Sequence, residues 1–180
     1  MSKLHYIRPA GPSSDSETVR LGAGTGSSNN LGPADIWKFV KLSATDTYNL
    51  CAAGNPIEGI ITSIEPATAG GWTIGAINRR DKITVIADGL QATPGTGTIA
   101  AGDYVVTGTV VAKGTYLSAS TGYPKVCKAT VQPGAVPADL TAAGAQVLAS
   151  LNAWRVVSLG AVGTGAVGTE ITIERVSTGR

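Results

Sequence analysis

Histidine, charge and aromatic rings are all scarce in this 180-residue sequence, and each shortage removes a class of function. The one histidine, His5, stands near the N-terminus. A Ser-His-Asp triad needs an imidazole to take the nucleophile's proton, and histidine-rich metal sites need several, so neither can be built within the body of one chain. The two cysteines, Cys51 and Cys127, therefore have no core histidine to activate them. Their strand-like flanks suit free, buried, small side chains, with a disulfide between them left open. The tryptophans Trp37, Trp72 and Trp154 are too dispersed for a stacking platform, which leaves core or interface packing as their role. No run approaches the roughly 20 apolar residues of a membrane span, and the start "MSKLHYIRPAGPSS" lacks a signal peptide's apolar region. No membrane partner is expected.

Charged residues make up 14% of the chain, against about 25% in an average soluble domain. Between Ile83 and Ala112 only Asp88 and Asp103 are charged; between Ala129 and Thr169, only Asp139 and Arg155. Soluble surfaces normally carry dense, mixed charge. Charge-poor faces suit subunits that pack together and cover them, since interface cores are depleted in charge. A sticky but soluble monomer is the alternative. The net charge of +2 is too mild for a nucleic-acid binder, and Arg79-Arg80, followed by Asp81 and Lys82, reads as a solvated turn.

Glycine is plentiful, and "VRLGAGTGSSNN" sets Gly22, Gly24 and Gly26 on alternate positions. A Walker-type loop needs a lysine and a hydroxyl residue after its last glycine, yet Ser27-Ser28 follow Gly26. A dinucleotide fingerprint needs G-x-G-x-x-G between a strand and a helix; here the third glycine comes one residue early and "SSNNLGP" cannot open a helix. "GNPIEG" (Gly54–Gly59) has the Walker spacing but continues into Ile60-Ile61. Glu58 and Glu65 fall on opposite faces of any continuous strand, and Asp81, Asp88 and Asp103 sit at strand ends, where acids make turns. No catalytic, cofactor-binding or metal-binding residues are expected, and the reading is not an enzyme.

Residues 1–34 are rich in Gly, Pro, Ser and Asn with isolated apolar points. They cannot bury enough surface to fold alone, and read as an extended N-terminal arm or a simple disordered tail. On the arm reading, Tyr6, Ile7, Val19 and Leu21 are its contacts on a neighbour. Residues 35–180 read as one domain of short strands. These include "IWKFVKL" (36–42), a hairpin from "IEGIITSIE" and "WTIGAI" (57–65 and 72–77), and "KITVIADG" (82–89). "YVVTGTVVAKG" (104–114) follows with a bend or bulge at Gly108, then "KVCKATV", "WRVVSLGAV" and "EITIERV". Leu140, Ala143, Val147, Leu148, Leu151 and Trp154 recur at helical spacing, which predicts a helix over 139–154, with an irregular loop as the alternative. The expected fold is mainly β: a compact β-barrel or β-sandwich with one short helix and an extended N-terminal arm. Trp37 and Trp72 are the candidate interface residues.

An arm followed by a Gly/Thr-rich β-domain with little charge resembles the head decoration, or cement, proteins of tailed bacteriophages. The resemblance is carried by "YNLCAAGNPIEGIITSIEPATAGGWTIGAI" (Tyr48–Ile77), "AAGDYVVTGTVVAKGTYLSAS" (Ala100–Ser120) and "AGAQVLASLNAWRVVSLGAV". It implies a structural protein on the outer surface of the virion capsid, present in the host cytoplasm during assembly. Its partners would be the phage major capsid protein and further copies of itself, a trimer ahead of a dimer. The competing reading is a carbohydrate- or receptor-binding module of a phage fibre or tail, which would need exposed aromatics along a groove, with Trp72 as the one candidate.

Overall fold

The alternation in "SETVRL" makes a strand, not an arm. In the computed structural model, which describes residues 16–22, 31–43, 47–65, 73–79, 82–117, 123–132 and 154–176, Ser16–Leu21 form β1. Val19 and Leu21 point into the core of their own chain, while the alternate residues Thr18 and Arg20 are exposed. This corrects the expectation that those two side chains anchor on a neighbour: a period of two puts both on one face, and that face is already covered. Tyr6 and Ile7 lie outside the described residues, as do Trp72 and all of the expected helix except its last residue, Trp154, which opens a strand.

Strand β1 joins β2 (Phe39–Leu42), β3 (Thr47–Leu50), β4 (Gly59–Glu65) and β5 (Thr73–Asn78) in a closed barrel of order β1-β3-β2-β4-β5. The β1–β3 pair is parallel and the rest antiparallel. The second sheet contains β6 (Ile83–Leu90), β8 (Tyr104–Thr107), β9 (Lys125–Lys128), β10 (Trp154–Ser158) and β11 (Glu170–Arg175), with the two-residue β7 (Thr93–Pro94) folded back on β6. Pairing of β11 with β6 closes it into a ring of order β6-β9-β8-β10-β11. The expectation of a mainly β protein built on a barrel therefore holds. Two barrels are present rather than one.

The two barrels are copies of one plan. Taken in chain order, both rings run first-third-second-fourth-fifth, and in both only the first and third strands are parallel. The registers also match. Leu21 faces Tyr48 where Ala87 faces Val126; Val40 faces Gly59 where Val105 faces Trp154; Ile61 faces Ile77 where Val156 faces Ile173. Both fourth strands bulge at the same place, between Ile61 and Ser63 and between Val156 and Ser158. Outside the ladders, Trp37 N donates to Ile61 O as Gly102 N donates to Val156 O, each at 2.8 Å. Cys51 N donates to Phe39 O as Ala129 N donates to Tyr104 O.

Equivalent positions trade volume within each core. Leu21 and Gly75 in the first barrel correspond to Ala87 and Ile171 in the second. A Cβ on Gly75 would stand 2.5 Å from Leu21 Cδ1, so the large residue on one strand is accommodated by the missing side chain on the other. The backbone trades too. Gly102 has φ 88°, natural for glycine, while its counterpart Trp37 holds φ 73° with a bulky side chain. Open space surrounds the Gly102 Cβ direction, so Gly102→Ala probes the backbone alone. Urea denaturation should show a loss of about 1–2 kcal/mol, the cost of a left-handed conformation in an L-residue.

Trp37 accepts that strain at the seam between the barrels. The expected strand over 36–42 begins only at Phe39, because Pro33–Asp35 form a 3-10 turn and Trp37 reverses the chain. Its half-buried ring packs on a core that unites both barrels. Phe39, Cys51, Ile57 and Ile60 come from the outside of the first; Val85, Val105, Val126, Trp154 and Ile173 come from the inside of the second. The first barrel keeps a separate interior around Val40, Ile61 and Ile77.

Candidate functional site

Two features stand apart from barrel structure: a neutral loop face on the second barrel and a strap across the seam. The face is made by the connections β6–β8 and β10–β11. Residues 91–102 ("QATPGTGTIAAG") and 159–169 ("LGAVGTGAVGT") contain no charged residue. Main-chain bonds tie them together: Thr98 bridges Ala166, and Ile99 N donates to Gly165 O at 2.9 Å. Gly168 N donates to Ala87 O, and the Thr169 hydroxyl donates to the carbonyls of Thr164 and Ala166. Residues 92–98 and 160–164 are exposed, with Val162 at 68% and Val167 at 42%. Loops held by their own backbone lose little freedom on meeting a partner. Parts of the two charge-poor stretches, residues 91–102 and 159–169, thus meet on one face.

The strap is residues 108–117, the described first part of the β8–β9 connection, which is longer in sequence than the 43–46 connection between the equivalent strands of the first barrel. The expected continuation of β8 through Val110 and Ala112 does not form: β8 ends at Thr107, and the chain turns at Gly108, whose amide donates to Lys125 O. The strap is held down by a buried ion pair. Lys38 Nζ lies 2.7 Å from Asp35 Oδ1 and donates to Ala112 O at 2.7 Å; Gly114 N donates to Asp35 Oδ1 at 2.8 Å. The other carboxylate oxygen takes Gly32 N at 3.0 Å. Burial pushes the Asp35 carboxyl up, but the Lys38 bond, the Gly32 and Gly114 amides and the lysine charge outweigh it, so its pKa lies below 3.8. The sequence reading missed this pair. Its signal was an Asp and a Lys three residues apart in "ADIWK", in a chain with few charges to spare.

The remaining candidate groups are structural. Both cysteines are free and buried, and burial raises each thiol to about 11; nearby Asp88 adds to the rise at Cys127. Neither supplies a thiolate near neutral pH. Glu58 accepts the Leu42 amide, Asp88 the Thr109 amide and Asp103 the Ala100 amide. Among the described residues no group of three His, Cys, Asp or Glu could hold a metal ion, and no helix is long and apolar enough to cross a membrane. Of the two candidate interface residues, Trp37 lies at the seam within the chain and Trp72 is outside the described residues.

Comparison with protein families, with characterised proteins and with solved structures finds no match for this chain.

Proposed function

We propose that the chain is a structural virion protein that binds the outer surface of an assembled tailed-phage capsid and stabilises it by bridging major capsid subunits. The observation that carries this reading is the neutral, backbone-tied loop face of residues 91–102 and 159–169. A face without charge covers a partner without leaving an ion desolvated and unpaired. A part that binds the assembled shell and not its separated subunits stabilises the shell by its own binding free energy, and repetition on a lattice adds avidity. The resemblance in segment order to capsid decoration proteins points the same way, and self-association as a trimer, ahead of a dimer, belongs to the same proposal.

The test is co-sedimentation of the purified protein with expanded capsids of its phage. The native chain should pellet with the shells. Val162→Glu combined with Val167→Glu places two charges on the exposed face without touching either core, and should weaken binding at least about ten-fold while leaving the thermal transition unchanged. Equal binding by the double variant would remove the loop face from the account.

A further inference from the structure

Because the barrels share one plan, the seam joins them head to tail, and such a contact leaves one unused surface at each end of the pair. The first barrel offers its flank, where Phe39, Cys51 and Ile60 are buried; the second offers its open end, where Trp154 is buried. Main chain crosses the seam there too: Gly54 N donates to Thr107 O at 2.7 Å, and Thr107 N donates to Asn55 O at 3.0 Å. The unused surfaces are the open end of the first barrel and the flank of the second. Matching registers show which residue stands at each equivalent position.

On the unused flank, Tyr104 and Arg155 pair where Phe39 and Ile60 pair, and Lys128 stands where Leu50 does. Arg155 Nη2 lies 2.9 Å from Glu174 Oε1, and Lys128 Nζ lies 3.0 Å from Asp103 Oδ1. At the unused end, Glu17 stands where the second barrel buries Ile83, and it lies 3.1 Å from Arg79 Nη2. Leu42 matches Thr107, and its amide donates to Glu58 Oε2 at 2.8 Å. A carboxylate of the first barrel itself thus takes the hydrogen bond that Asn55 takes across the seam. Docking a second barrel on either surface would strip these ion pairs of water. We propose that the charged positions are end caps: each chain makes the seam contact once, and a second copy cannot repeat it at either end. Arrays of packed repeats likewise need polar outer faces on their terminal units. Self-association and shell binding then use other surfaces. The inference concerns copies of this chain alone and stands whether or not the capsid reading does.

Sedimentation velocity on the free, full-length protein tests the caps. One end is cleared by Glu17→Ile with Glu58→Ala, the other by Lys128→Leu with Arg155→Ile. Clearing both should give species whose mass grows with concentration, as copies add head to tail. Chains cleared at one end only should sediment like the native chain, and an equimolar mixture of the two kinds should form a 1:1 complex of twice the mass. Charge reversal, Glu17→Arg with Arg155→Glu, keeps both ends charged and should leave native sedimentation unchanged. If the doubly cleared chain keeps its thermal transition yet sediments like the native one at every concentration, the charges are not what stops the copies and the proposal is overturned. It is equally overturned if charge reversal abolishes a self-association that the native chain shows, because the ends are then an interface. The reversed pair alters only exposed side chains and decides the matter should the cleared chain not fold.

Discussion

Trp154→Ala lowers stability by about 3–5 kcal/mol, the range for emptying a fully buried tryptophan site, and the thermal midpoint falls by roughly 10 °C or more. The indole is 0% exposed and belongs to both barrels at once. Its strand is the fourth of the second barrel, yet its Nε1 donates to Ile57 O of the first at 3.1 Å. The equivalent position in the first barrel is Gly59, so the two barrels differ here by a whole tryptophan side chain. Trp154→Phe separates the two contributions: it keeps most of the packing but leaves the Ile57 carbonyl unpaired, for a loss of about 1–3 kcal/mol. Urea denaturation followed by probes in each barrel carries a further expectation. The native chain unfolds in one transition, and Trp154→Ala separates the barrels into two. A single transition of unchanged midpoint would show that Trp154 does not hold the barrels together.

Lys38→Met has the second large effect, a loss of about 3–5 kcal/mol, because it leaves the Asp35 carboxylate buried without its cation. The pair itself is worth far less than its disruption. Asp35→Leu with Lys38→Met, which removes both charges, should recover most of the loss, although the strap loses its ties to Ala112 and Gly114. The pH dependence reverses between the variants. In the native chain the Asp35 pKa is depressed, so its contribution is fully present above the unfolded value near 3.8 and is lost as pH falls through the lower folded value. In Lys38→Met the desolvated carboxyl titrates above its unfolded value. Its contribution is then present at low pH and lost as pH rises towards neutrality. Between pH 4 and pH 7 the native midpoint should therefore stay nearly level while that of Lys38→Met falls, once the charge-free double variant is subtracted as a baseline.

The strands with clean alternation were legible. "EITIERV" and "KITVIADG" became β11 and β6, and the hairpin around residues 57–77 became β4 and β5. The turn at Gly108 was legible from a glycine inside an apolar run. Val19 and Leu21 were misread because the Gly/Ser/Pro flanks of β1 outweighed three turns of its alternation. Only pairing to β5, far along the chain, makes that segment a strand. The duplication was invisible for a different reason. Equivalent positions hold Leu21 and Ala87, Gly75 and Ile171, Trp37 and Gly102, so register and hydrogen bonding persist at positions where side-chain identity is lost. The loop face was half visible. Charge depletion in 83–112 and 129–169 was plain, but it took the contacts of Thr98 with Ala166 and of Ile99 with Gly165 to bring residues 91–102 and 159–169 together.

The most direct measurement of the central claim is a cryo-EM map of capsids carrying the bound protein, resolved well enough to orient its two barrels. The account predicts density for the chain on the outer shell, with residues 91–102 and 159–169 against the junction between major capsid subunits and charged surfaces facing solvent. A map with that loop face turned to solvent, or saturated particles with no density for the chain, would contradict it.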